Sequence, residues 1–173
     1  DDYINCGFNL HLQNSLSLAT WFNTSDMGDQ RMISNSDHCS ANRYFLMIDA
    51  AANQPRHLKF NINYDNAGQG GEIGYNYPVS DGNWHFVVGT WDGNAMRLYL
   101  DGVLVDSLFG ITSSIVYSNN SSNTYLGNDF CNVEPFNGYL DESSIWDYAL
   151  SYQEIQNYMN CPPTGNEAGL AGY

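Results

Sequence analysis

The chain has 173 residues, with 19 Asp and Glu against five Lys and Arg, a formal net charge of −14. That field opposes nucleic acid and anionic membrane surfaces as partners. Its 13 Tyr and 16 Gly, with abundant Asn and Ser, favour short strands and polar loops over helices, so one all-β domain with a two-layer core is the expectation.

Ile4, Cys6 and Phe8 share a face and open the chain as a strand, with Gly7 as a bulge or close-approach position. Residues 17–22 form the second strand, residues 23–29 a polar loop, and strands resume at 31–34 and 44–48. Leu58, Phe60, Ile62 and Tyr64 alternate without fault against Lys59, Asn61 and Asn63, which predicts a half-buried strand. After a Gly-rich turn, Ile73, Tyr75 and Tyr77 share a face before Pro78.

Residues 81–106 are the stretch around which the chain is organised. Trp84, Phe86 and Val88 alternate with His85, Val87 and Gly89, and Met96, Leu98 and Leu100 alternate with Arg97 and Tyr99. Asp92-Gly93 and Asp101-Gly102 supply the residue pairs favoured where a tight hairpin needs positive φ, so three antiparallel strands follow and lay one apolar face on a second sheet. An Asp81-Gly82-x-Trp84-His85 strand followed by a Tyr99-Leu100-Asp101-Gly102 hairpin resembles the laminin G-like and pentraxin-like jelly rolls of the concanavalin A-like superfamily. Asp1, Asp2, Tyr3 and Trp21 match the entry and first Trp strand of that family. The resemblance implies a two-sheet antiparallel jelly-roll sandwich over 1–163, with one short C-terminal helix.

Residues 113–123 are almost entirely polar, and 124–127 read as a short strand before a loop around Cys131. Residues 136–146 resemble the family's penultimate strand. Phe136 and Leu140 share one parity and Ile145 has the other, so either a bulge intervenes or Asp141 points inward, where a carboxylate needs a partner. Ser151 and Glu154 form a capping box, with Leu150 stapling to Ile155. The helix carries an Ile155, Tyr158, Met159 stripe and stops at Cys161 and Pro162-Pro163. Residues 164–173 resemble a linker and opening strand that lead into a following module, with pairing to this domain's own sheet as the alternative. The abrupt opening on Asp1-Asp2-Tyr3 gives the expectation of a domain within a larger polypeptide.

Four cysteines, widely spaced and without a C-x-x-C pair, predict two disulfides and an oxidising, extracellular compartment. Of the three pairings, Cys6 to Cys161 and Cys39 to Cys131 are favoured: one fastens the opening strand behind the helix, the other closes two long polar loops. Catalysis is disfavoured. The E-x-D-x-E motif is absent, and Asp141 and Glu142 are adjacent, so on a regular strand they face opposite ways and cannot form a retaining glycosidase pair. His11, His38, His57 and His85 lack metal-ligand spacing, and His85 reads as a surface or cross-strand histidine. Asn23, Asn119 and Asn120 fit the glycosylation acceptor pattern.

Tyr64, Tyr75, Tyr77, Tyr117, Tyr125, Tyr139 and Tyr148 are available as stacking platforms for sugar rings, although strand tyrosines mostly pack. Tyr75, Tyr77, Asn128 and Asp129 are the candidate ligand contacts. The resemblance to lectin-like relatives implies a non-catalytic, calcium-stabilised glycan-binding module of a secreted or cell-surface protein, with calcium near Asp141 and with Asp2 and Asp1 as further ligands. Hard oxygen donors without a His/Cys set favour calcium over zinc. Its partners are a glycan, neutral or cationic rather than strongly anionic, and neighbouring modules; membrane insertion is not expected. The rival readings are an adhesion or spacer module making protein contacts and, less favoured, a glycosidase.

Overall fold

The computed structural model describes residues 2–7, 10–36, 42–49, 57–63, 70–110, 112, 114–115, 117 and 123–173. Asp1, Phe8, His38, Cys39, Tyr64, Asn119 and Asn120 lie outside these, as do the side chains of Asn42 and His57. Among the described residues are two six-stranded antiparallel sheets and one helix, as the jelly-roll expectation requires. The first sheet joins β1 (Ile4–Asn5), β10 (Asn123–Leu126), β3 (Gln30–Ser36), β4 (Asn42–Asp49), β5 (His57–Asn63) and β6 (Gly70–Tyr75) in that order. The second joins β12 (Leu170–Gly172), β11 (Tyr139–Trp146), β2 (Leu16–Asn23), β7 (Trp84–Trp91), β8 (Ala95–Leu100) and β9 (Val103–Phe109).

Alternation builds the core between them. Leu16, Leu18 and Phe22 of β2 and Met96, Leu98 and Leu100 of β8 meet Tyr44, Leu46 and Ile48 of β4 and Leu58, Phe60 and Ile62 of β5 in one cluster. At Gly89 the sheets approach so closely that an added Cβ would lie 2.5 Å from the ring of Phe60. The opening strand is shorter than its sequence pattern: β1 is two residues, and Ile4 is exposed.

The 81–106 meander forms as expected, and its two turns differ. Asp101 and Gly102 have φ of 50° and 75°, positive at both central positions as a two-residue hairpin requires. The earlier turn is a three-residue loop in which only Gly93 is positive, at 87°. Asp92 closes it by accepting the Asn94 and Ala95 N–H groups at 3.0 and 2.7 Å.

β7 departs from the one-faced expectation. Val87 and Trp91 face the core, while Phe86 and Val88 enter a second cluster with Ala19, Tyr99, Trp146, Leu150 and Ile155 on the sheet's outer side. The cover is α1 (Tyr152–Asn160), whose cap is as read: the Ser151 side chain accepts the Glu154 N–H, and Glu154 accepts the Ser151 N–H at 2.7 Å. Residues 170–172 pair with β11, so part of the 164–173 segment adds a strand to this sheet.

Cys6 and Cys161 are free thiols, and the expected tie between them is not formed. The layers explain this. Cys6 follows the edge strand of the first sheet, donating its N–H to Thr124, whereas Cys161 follows the helix on the far side of the second. Cys131 is disulfide-bonded; Cys39, its expected partner, lies outside the described residues.

Candidate functional site

The second sheet's outer face is covered by α1 over only part of its length. Strand register places Trp84, Asn23 and Tyr139 side by side on β7, β2 and β11, and Phe86, Trp21 and Asp141 in the next row. Beyond these, Val88, Ala19 and Ser144 lead under the helix cluster, so the aromatic rows are the uncovered end of the face. Trp84 is 46% exposed and Tyr139 71%, with ring centroids 6.4 Å apart and planes tilted by 40° above Asn23. In the next row Trp21 packs on Phe86, with centroids 5.3 Å apart. Asn23, on the strand between those of Trp84 and Tyr139, donates its amide N–H to the Gly82 carbonyl at 2.8 Å, which fixes its side chain.

His85 fastens the loop that carries Trp84. Its Nδ1 lies 2.8 Å from Asp101 Oδ2 and its Nε2 3.2 Å from Asp81 Oδ1. Burial alone would lower its pKa; the hydrogen bonds and charges of Asp101 and then Asp81 outweigh this and hold it above the usual imidazole value. The ring thus ties the 81–83 loop to the β8–β9 turn, a structural role in line with the cross-strand expectation.

The parity break at Asp141 is a bulge. Asp141 opposes Trp21 and Ser144 opposes Ala19, so Glu142 and Ser143 together face Thr20, and Glu142 takes φ of 51°. Asp141 is exposed, and its Oδ1 accepts the Glu142 N–H at 2.9 Å; it is not an inward carboxylate. Thr20 bridges the bulge through the Ser143 hydroxyl at 2.8 Å. Residues 141 and 142 both border one cleft.

That cleft, of about 700 Å³, opens between the sheets where β1 and β12 end them. At the opposite edge β6 packs on β9, and Asp106 accepts the Gly74 N–H at 2.9 Å. Leu10, Leu126, Phe136, Leu140 and Ile145 form apolar walls, and Asp2, Asp141, Glu142, Tyr3 and Tyr173 also line the cleft. Two of the expected calcium ligands, Asp2 and Asp141, therefore share one cavity, and Asp1 lies outside the described residues. Both are hard oxygen donors of the kind calcium takes. Among the described residues no group of three His, Cys, Asp or Glu side chains is placed to hold a metal. A calcium ion here would complete its six to eight oxygens largely from carbonyls and water.

The four expected ligand contacts do not form one site. Tyr75 and Tyr77 meet at a tilt of 41° with centroids 5.1 Å apart, and Tyr77 is 65% exposed, at the β6 edge of the first sheet. Asn128 and Asp129 follow β10, next to the opposite edge, and are buried. Their side chains build their own loop: Asn128 bonds Asn132 and the Asp129 N–H, and Asp129 accepts the Cys131 N–H at 3.0 Å. The loop roofs β3, with Ser34 donating to the Asn128 carbonyl and Arg31 pairing with Glu134 while lying 3.9 Å over the Phe45 ring. Asn128 and Asp129 therefore have no face to offer a ligand.

A sequence profile for the concanavalin A-like lectin/glucanases superfamily matches residues 1–156. The chain belongs to that superfamily. A 95-residue stretch is 33% identical to a sushi, von Willebrand factor type A, EGF and pentraxin domain-containing protein of Rattus norvegicus, spanning 49% of this chain and 3% of that relative. A heptameric SAP-like pentraxin of Limulus polyphemus superposes with a TM-score of 0.67 at 15% identity, over 88% of this chain and 72% of that one. The CBM40 of the Ruminococcus gnavus IT-sialidase, bound to α2,3-sialyllactose, superposes with a TM-score of 0.67 at 16% identity, over 86% and 84%. At these identities the structural likenesses show the fold, a lectin-like sandwich. Among the described residues no helix is long and apolar enough to cross a membrane.

Of the tyrosines named as platforms, Tyr139 stands in the exposed row. The exposure of Trp84 is hidden in the sequence, because its parity with Phe86 and Val88 reads as core. The signal lay in its place at the strand's first position, beyond the reach of a nine-residue helix.

Proposed function

We propose that this domain is a non-catalytic lectin-like module of a larger extracellular protein, and that it binds a neutral oligosaccharide across Trp84, Asn23 and Tyr139. The observation that carries this reading is the pair of exposed, tilted rings with a fixed amide on the strand between them. Apolar sugar C–H faces stack on aromatics, and a polar group between the rings sets orientation through the hydroxyls. The chain's excess of negative charge discourages sulfate or uronate. The sialidase module similar to this chain binds a sialylated sugar, which supports glycan binding as the class. The Tyr75–Tyr77 pair, at the β6 edge of the other sheet, offers a second aromatic surface through the exposed Tyr77 ring. Calcium, held by Asp2 and Asp141 with carbonyls and water, stabilises the cleft edge rather than the stacking row.

A glycan array in chelator and in millimolar calcium, on wild type, Trp84→Ala, Tyr139→Ala and Tyr77→Ala, tests the reading. Binding to neutral glycans should fall about fivefold or more for Trp84→Ala and Tyr139→Ala, since stacking of one ring is worth about 1–3 kcal/mol by comparison with other ring-stacking sites. Retained binding in both variants would remove the site, and release of reducing sugar from a bound glycan would remove the non-catalytic assignment. Melting curves of wild type and Asp141→Ala with and without calcium test the metal: bound calcium raises the wild-type melting temperature by mass action.

A further inference from the structure

The cleft between β1 and β12 is not used by the stacking row, and its chemistry selects a different ligand. Leu10, Leu126, Phe136 and Leu140 that wall it pack on the main core, so it is an unclosed seam of the sandwich interior. At about 700 Å³ it falls in the size range of small-molecule sites. Three carboxylates, Asp2, Asp141 and Glu142, and two tyrosines, Tyr3 and Tyr173, about half exposed, border these walls. Among the described residues no Lys or Arg lines it. Arg31 pairs with Glu134, Lys59 with Asp49 and Glu72, and Arg97 with Asp92, each away from the cleft. Glu142 is held in place by accepting the Tyr173 hydroxyl.

We infer that this cleft binds an amphiphilic organic cation, its alkyl or aryl body against Leu126, Phe136, Leu140 and Ile145 and its ammonium among the carboxylates and the two tyrosine rings. Each part follows from the lining. Apolar walls reward burial of carbon at about 25 cal/mol per Å². The rim is complementary to one positive charge, and tyrosine faces attract ammonium groups. A sugar would leave its hydroxyls against Leu and Phe, and an anion would meet three like charges. Calcium at Asp2 and Asp141 draws on the same carboxylates, so the two cations exclude one another. The inference stands apart from the glycan reading.

Titration calorimetry with hexylammonium, hexanol and hexanoate on the whole chain, in chelator and in millimolar calcium, tests it. Hexylammonium should bind in chelator and hexanoate should not, with hexanol between them. Calcium should weaken hexylammonium binding. Glu142→Gln and Asp2→Asn should each weaken it about two- to fivefold, the worth of an exposed charge pair. Ala171→Leu, which fills the cleft from β12, should weaken all binding there while leaving glycan binding by the Trp84 row intact. Equal affinity for hexylammonium and hexanoate, or no loss in the charge variants and Ala171→Leu together, overturns the inference. So does a mass that doubles with concentration and reverts in Ala171→Leu, which would assign the cleft to a second copy of the chain.

Discussion

Replacing Gly89 by alanine places a methyl group where the two sheets come closest. The added Cβ would lie 2.5 Å from two carbons of the Phe60 ring, about 0.9 Å inside the 3.4 Å at which ordinary contact begins. Neither side yields cheaply. Gly89 is paired on both flanks, with Leu18 and Leu98, and Phe60 is fully buried in the centre of the core. Overpacking of this kind costs about 1–3 kcal/mol. For a chain of this length each kcal/mol moves the melting temperature by about 2–4 °C, so Gly89→Ala should melt about 4–8 °C lower at a mid-range cost. The assay is a double-mutant cycle by thermal and urea unfolding with Phe60→Leu, which removes the ring. If the clash is the cause, the double variant should be more stable than the sum of the single effects by about 1 kcal/mol or more. Strict additivity, or an unchanged melting temperature for Gly89→Ala, would refute the argument.

His85 has its pKa raised in the folded state, so its contribution to stability is complete below the unfolded imidazole value near 6.5 and is lost as pH rises through the folded value. Asp101→Asn keeps an oxygen for the Phe86 N–H but removes the charge, and should flatten the melting temperature between pH 6 and 8 relative to wild type; an equally steep profile would exclude the His85 link. Ser151→Ala removes the acceptor for the Glu154 N–H and should cost about 1 kcal/mol, with a change of near-ultraviolet ellipticity from Trp146 and the edge-on Tyr148, whose hydroxyl donates to Glu154, as the helix start frays. A thiol reagent should find two reactive cysteines per native chain, Cys161 quickly and Cys6 slowly, because burial raises the Cys6 pKa; no reaction under native conditions would restore the tie between them.

Local patterns carried most of the fold. Period-two alternation placed Leu58, Phe60 and Ile62 inside, the Ser151–Glu154 spacing set the helix start, and Asp101-Gly102 set a turn, because each depends on neighbours within a few residues. The parity conflict between Leu140 and Ile145 announced the bulge but not the direction of Asp141, which is set by a backbone turn at Glu142 that no side-chain pattern encodes. The stacking row was harder still. Asn23, Trp84 and Tyr139 come from strands that are distant in sequence, and only sheet order and register bring them together. Trp84 and Val88 have identical parity, and what separates an exposed ring from a packed side chain is where α1 ends. Asn128 and Asp129 look like loop ligands in sequence because a polar loop residue reads the same whether it faces solvent or braces its own backbone.

The way the sheets terminate bears on how such a domain behaves in company. The edge strands at the cleft side are two and three residues long, β1 and β12, and those at the other side, β6 and β9, lean on each other. Long, flat edges with free N–H and C=O groups recruit strands from neighbouring chains, and short or covered ones do not. A string of these sandwiches could therefore be crowded on one polypeptide without zipping edge to edge, each unit's excess of negative charge adding repulsion between neighbours. Resistance to self-association is thus built into the borders of the fold, leaving its faces free to be recognised.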